Sequence, residues 1–127
     1  MTLGKTITAV INNVTIAASG NQVSSTSVDL TQAVDFGIAY SLVFNGSASQ
    51  GCQIQIFAEE LNAGSGFTIG TYDNMIDSCD VPISAGHSVF GFFQCNRTPR
   101  YVKIKAVNLD TGQSITGFCA YAVVQTP

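Results

Sequence analysis

The side chains of this sequence that could do chemistry are four cysteines, a single histidine, a run of acids and a cluster of cations. Cys52, Cys79, Cys95 and Cys119 stand 27, 16 and 24 positions apart. The short Cys-x-x-Cys spacing of a zinc knuckle is absent, so no metal site is assigned to them. Four cysteines admit three disulfide pairings, and spacing does not choose among them. Cys52 and Cys119 fall on strand faces expected to point inward, where a free thiol behaves as a small apolar group. An even count also fits two disulfides outside a reducing compartment.

His87 lies in the string Gly86-His87-Ser88-Val89-Phe90, which begins like the nucleophile elbow G-x-S-x-G. Phe90 stands where the last glycine belongs, and the elbow needs a strand-to-helix turn that this chain does not offer. His87 and Ser88 would also point to opposite faces of a strand. A turn or surface histidine is expected, and no catalytic residue is assigned. Asp73, Asp77 and Asp80, with Asn74, supply oxygens but lack the D-x-D-x-D-G signature of a calcium loop. A solvated acidic loop is expected there, with no metal and no cofactor.

Four of the five cations, Arg97, Arg100, Lys103 and Lys105, lie between positions 97 and 105. Lys103 and Lys105 share a strand face with Tyr101, and Phe57 is an aromatic on the otherwise polar side of its own strand. These six residues form a candidate docking patch for an acidic partner surface. The lysines fit equally well as guards of an edge strand against stray pairing. Both readings stay open at this point.

The elements that must position these groups read as strands. Val, Ile, Thr, Phe and Tyr dominate, and alternation is the main signal. In FGIAYSLVF, the side chains of Phe36, Ile38, Tyr40, Leu42 and Phe44 share one face. Gly37, Ala39, Ser41 and Val43 share the other. A turn over residues 45–51 leads to CQIQIFAEE, with Cys52, Ile54, Ile56 and Ala58 on one face. Residues 67–72 read as a short strand, the acidic stretch 73–80 as irregular, and 87–95 as a strand buried on both faces. Val102, Ile104 and Ala106 alternate inward along residues 101–108. The loop LDTGQS, with Gly112 as its left-handed residue, is expected to close a hairpin onto 114–125, a strand apolar on both faces. Residues 6–11 and 14–18 read as two strands or one bent strand. No window shows helical spacing.

Eight or so short strands with frequent turns predict an all-β chain: a single antiparallel β-sandwich or jelly-roll-like domain over residues 1–127. The N-terminal stretch alternates with Thr and is interrupted by Asn12 and Asn13, so it reads as part of the folded protein and not as a leader. The apolar runs 36–44 and 117–124 are far shorter than the ~18 residues of a spanning helix, so no membrane partner is expected.

Charged residues make up only 10% of the chain, five cationic and eight anionic, against about 25% in average domains. A compact chain of this size would carry one charge per roughly 500 Å² of surface. The pI of 4.7 and net charge of −3 argue against a nucleic-acid binder. High apolar content argues against disorder. Free domains usually keep apart by mixed surface charge, so this composition points to a surface that other subunits cover, or to an extracellular skin of hydroxyls and amides.

VSSTSVDL, the bulky strand FGIAYSLVF and the closing stretch YVKIKAVNLDTGQSITGFCAYAV together resemble small β-sandwich structural proteins of tailed bacteriophages. The resemblance implies a virion component, assembled in the host cytoplasm. It further implies a decoration or cement protein on the capsid exterior, bound to the major capsid protein or other virion subunits. Such proteins commonly sit as trimers where capsomers meet, so a homo-oligomer, with a trimer favoured, is expected. Neck, tail and fibre components share the style. The rival from another class is an extracellular carbohydrate-binding or adhesin module, with Phe57 and Tyr101 stacking on sugars. An enzyme is not expected, for want of paired catalytic groups.

Overall fold

The computed structural model describes residues 4–24, 26–58 and 75–127. The strand expected over 67–72 and the acidic residues Glu59, Glu60 and Asp73, with Asn74, lie outside the described residues. Nine strands follow one another: β1 (Gly4–Ile16), β2 (Asn21–Val23), β3 (Val28–Asp29), β4 (Asp35–Phe44), β5 (Cys52–Ala58), β6 (Met75–Val81), β7 (Ser88–Gln94), β8 (Tyr101–Asn108) and β9 (Ile115–Thr126). They form two antiparallel sheets. Sheet A runs β1-β9-β4-β7, and sheet B runs β2-β8-β5-β6, with β3 also on β8. β2 pairs with residues 105–107 of β8 and β3 with residues 101–102, so the two are halves of one interrupted lane. Eight lanes in this order, with nearly every connection crossing from one sheet to the other, make a jelly-roll sandwich.

Alternation explains the core. Phe36, Ile38, Leu42 and Phe44 of β4 are buried and face Cys52, Ile54 and Ile56 of β5 and Val102, Ile104 and Ala106 of β8 in one cluster. Phe118, Ala120, Ala122 and Val124 add the inner face of β9. Each large side chain so buried contributes about 1.5–3 kcal/mol relative to exposure. Small residues allow close approach where rings cross: Phe92 lies over Gly37 on the outer face, and Tyr40 over Gly91 on the inner one, so a Cβ at either glycine would collide with a ring.

Several expectations about strands and turns need correction. Residues 101–108 and 115–126 are not a hairpin, because β8 belongs to sheet B and β9 to sheet A; the loop between them is a crossover. Gly112 has no left-handed backbone there; among the described residues positive φ occurs at Gly86, Gly117, Asn13 and Ser19 instead. The turn is organised by Asp110, whose carboxylate accepts from the backbone N–H of Gly112 (2.8 Å) and Gln113 (2.9 Å), and across the fold from Ser49 (2.7 Å) and Gln50 (3.2 Å). Residues 75–81 are a strand, β6, and not an irregular loop. Cys119 points outward on β9, since its neighbours Phe118 and Ala120 take the core.

Asn108 completes the same end of the sandwich. Its amide donates to the carbonyls of Ile16, Ala17 and Gln113, tying the first crossover to the last. The N-terminal segment is one strand, bent by three register shifts against β9.

Candidate docking surfaces

The two sheets present outer faces of different chemistry. Pairing register defines the rows of sheet A: Lys5, Gln125 and Asp35; then Ile7, Val123, Gly37 and Gln94; then Ala9, Tyr121, Ala39 and Phe92. Cys119, Ser41 and Phe90 follow, then Thr116, Val43 and Ser88. Beyond the first row no charged side chain occurs in these positions. Phe90 is 78% exposed, Ile7 63%, Phe92 60% and Val43 37%. Four strands about 4.8 Å apart, over six residues rising about 3.4 Å each, give a flat face of roughly 400 Å². Exposed Phe90, Phe92, Ile7 and Val43, gathered on one uncharged face, make it the candidate interaction surface. At its charged end a shallow depression of about 160 Å³ is lined by Lys5, Asp35, Gly37, Phe92 and Val123. Asp35 there accepts from Gln94 Nε2 at 2.7 Å.

Sheet B turns the opposite kind of face outward. Tyr101, Lys103, Lys105 and Val107 of β8 stand beside Gln53 and Gln55 of β5 and Ser78 and Asp80 of β6. Gln55 Nε2 donates to Gln53 Oε1 at 2.6 Å, and Gln53 Nε2 donates to Asp80 Oδ1 at 2.9 Å. These positions are mostly polar, hydrogen-bonded to one another and charged with both signs, but the face is not open throughout, since Gln55 on it is buried.

The candidate patch of six residues is divided by the fold. Tyr101, Lys103 and Lys105 line up on the outer face of sheet B. Arg97 and Arg100 lie on the loop between β7 and β8, at one end of the sandwich. Arg97 Nη1 donates to the Ala33 carbonyl at 3.3 Å. Arg100 adds a weak attraction to Asp29, whose carboxyl is lowered first by hydrogen bonds from Thr31. Phe57 is not available to a partner. It pairs with Lys103 on the outward side as its alternation requires, yet it is 1% exposed. It can neither dock nor stack on a sugar, because a covered aromatic presents no ring face. β8 is also not an edge, since it runs between β5 and the β2–β3 lane. Its lysines therefore project from a sheet face and do not guard an edge.

The remaining chemical candidates do not converge. His87 is exposed in the turn before β7, its backbone N–H donating to the Ser84 carbonyl. Asp77 accepts from Asn96 N at 3.1 Å, whereas Asp80 points outward to Gln53. The two acids thus sit on opposite sides of β6. Among the described residues no group of three metal-ligating side chains forms. All four cysteines are free thiols. Burial pushes Cys52 and Cys95 up to about 12. Cys79 is raised mainly by burial, and Tyr40 beside it likewise. These three thiols stay protonated at neutral pH, which suits small apolar core groups and not nucleophiles.

Phe90 and Phe92 are the surface residues that the sequence hides. Their strand is apolar on both faces, a pattern shared by a strand buried on both sides and by an edge strand with a sticky outer face. The structure decides for the second: Val89 and Phe93 turn inward, and Phe90 and Phe92 turn out.

No family model and no curated protein sequence matches the chain. Its fold is shared with several solved structures. The subunit of Bacillus endospore appendages, a family of disulfide-linked pili, is similar over 99% of this chain and 90% of that one, at 13% identity and a TM-score of 0.51. A chain of the T13 particle of infectious bursal disease virus is similar over 96% of this chain at 10% identity and a TM-score of 0.62. The PBSX exported protein XepA is similar over 96% of this chain at 14% identity and a TM-score of 0.56. This chain spans only 31% of that viral chain and 37% of XepA. At these identities the likeness establishes an all-β sandwich fold.

Proposed function

We propose that this chain is a structural subunit that works by docking, a virion component whose uncharged outer face on sheet A lies against other particle subunits. The observation that carries the reading is that face: roughly 400 Å² of sheet with exposed Phe90, Phe92 and Ile7 and no charge beyond its first row. Charged residues are depleted at interface cores and aromatics enriched. The scarcity of charge in the whole chain supports the same reading. So does the shared fold with a viral particle chain and a pilus subunit.

In finer terms, the reading is a decoration or cement protein of a tailed bacteriophage, on the capsid exterior, bound to the major capsid protein. Sheet A would face the shell and polar sheet B the solvent. Such a protein stabilises the assembled state by linkage, because it binds the shell and not the free subunits. A rigid sandwich loses little conformational freedom on docking. The function needs neither a catalytic group nor a cofactor.

The test is co-sedimentation with shells of the parent phage stripped of this protein. Wild-type chain rebinds and raises the temperature at which the shells open. Tyr121→Lys, in the middle of the sheet A face, rebinds far more weakly. If Tyr121→Lys binds as wild type, or if the chain is absent from purified virions, the reading fails.

A further inference from the structure

A sandwich of two open sheets has four edges, and each exposes a row of unpaired backbone groups unless something blunts it. Three of them are blunted. β1 is bent by register shifts between Ala9 and Ile11, Ile11 and Val14, and Val14 and Ile16. The β2–β3 lane is broken into pieces of three and two residues. β6 carries Asp77 and Asp80. β7 has none of these devices. It runs seven residues, SVFGFFQ, without a charge or a proline, and it pairs with β4 in unbroken register from Gly37–Gln94 to Val43–Ser88.

The ladder tells which groups of β7 are free. Cys95 N donates to the Phe36 carbonyl and Phe44 N to the His87 carbonyl. Hydrogen-bonded pairs alternate along an antiparallel ladder. Phe93–Ile38, Gly91–Tyr40 and Val89–Leu42 are therefore the bonded pairs between these ends. The N–H and C=O groups of Ser88, Phe90, Phe92 and Gln94 point away from sheet A, to the open edge.

Those four residues are symmetric about Gly91. We infer that β7 pairs antiparallel with β7 of a second copy of this chain, about a two-fold axis at Gly91, joining two A sheets into one of eight strands. In this register Phe90 of one copy lies opposite Phe92 of the other, twice, and Ser88 lies opposite Gln94, twice. All four are hydrogen-bonded pairs, so every outward backbone group of β7 finds a partner. The axis residue is the glycine, and the two cross-strand aromatic pairs fall on the outer face, where Phe90 and Phe92 are exposed. Aromatic cross-strand pairs stabilise sheet association. Shifting the register by two residues places Phe90 opposite Phe90 or Phe92 opposite Phe92 and leaves end groups unpaired, so the Gly91-centred register satisfies most. The result is a two-fold pair, in contrast to the three-fold ring that the phage resemblance implies. It also enlarges the docking face: a single A face is about half of the ~800 Å² that one partner buries in a standard interface, and the paired sheet presents twice that area.

The pairing stands apart from the docking reading, and disulfide trapping tests it. Bonded antiparallel residues have Cα atoms about 5.5 Å apart, within disulfide reach. Phe90→Cys and Phe92→Cys are made separately in a Cys119→Ser background and mixed under oxidised glutathione. The mixture is expected to give a covalent dimer whose linked peptides join positions 90 and 92, while either variant alone gives little. The exposed site makes loss of folding a minor concern, and Phe90→Lys in the otherwise native chain is expected to abolish the dimer seen by sedimentation. No 90–92 link in the mixture, equal cross-linking by each variant alone, or a wild-type chain that stays monomeric at high micromolar concentration overturns the pairing. Tyr121→Lys, which alters the docking face without touching β7, leaves the link in place.

Discussion

The outer faces of sheets A and B are built by the same rule and differ in chemistry. On β9 and β4 the outward positions are Cys119, Tyr121, Val123, Ala39 and Val43; on β8 and β5 they are Lys103, Lys105, Gln53 and Gln55. Both sheets put apolar residues inward. Sheet B follows the usual alternation of apolar inside and polar outside more closely, although Phe57 and Val107 also take outward positions on it. Sheet A reads as a sheet covered on both faces, although within this chain nothing described covers its outer one. The contrast teaches that the low charge of the chain is not spread evenly. Charge is concentrated on the outer face of sheet B, and the uncharged surface is gathered on that of sheet A.

The largest expected effect breaks both faces together, since they share one core. Phe118 is fully buried on β9. Phe118→Ala is expected to cost about 3–5 kcal/mol of unfolding free energy, read by denaturant titration. Next comes the separation of the faces. Tyr121→Lys is expected to weaken particle binding by about 30-fold or more, as for loss of a central aromatic anchor. The paired change Lys103→Gln with Lys105→Gln should leave that binding within about twofold.

Acid sharpens the comparison at the end that ties the sheets. Hydrogen bonds from the backbone N–H of Ser49, and then of Gly112, hold Asp110 at about 2, below its ordinary 3.8. A carboxylate lowered by folding adds stability above its unfolded value and loses it as pH falls through its folded value. Thermal stability should therefore decline between about pH 4 and pH 2, and Asp110→Asn should lower it at neutral pH and flatten that decline. The smallest effect is on the wet face. Asp80→Asn, at an exposed site, should change stability by less than about 0.5 kcal/mol.

Much of this was legible in the residues, and what was not has a physical reason. The inward set of β4 and the alternation of β8 follow from a period of two, which is local. That β8 joins sheet B and β9 sheet A does not, because in a jelly roll the partners of a strand come from distant segments. The hairpin expected at LDTGQS assumed that neighbours in sequence are neighbours in a sheet. Phe57 kept its expected face, but burial depends on what lies above a face, and alternation is silent on that. β6 was hidden because Asp77, Ser78 and Asp80 dilute its apolar pattern. Clustered charge points to a docking patch on β8; the more distinctive surface is defined by charge that is missing, and it becomes visible only once register sets Phe92, Ala39 and Tyr121 in one row.

Two tyrosines measure the central claim directly. Tyr121 and Tyr101 are both half-buried in the isolated chain, on the outer faces of sheet A and sheet B. Hydroxyl-radical labelling of intact particles, read by peptide mass spectrometry against the free chain, should show Tyr121 protected, with Phe90 and Phe92, and Tyr101 labelled as before. Protection of Tyr101 with Tyr121 still labelled, or no protection at either residue, would contradict the account.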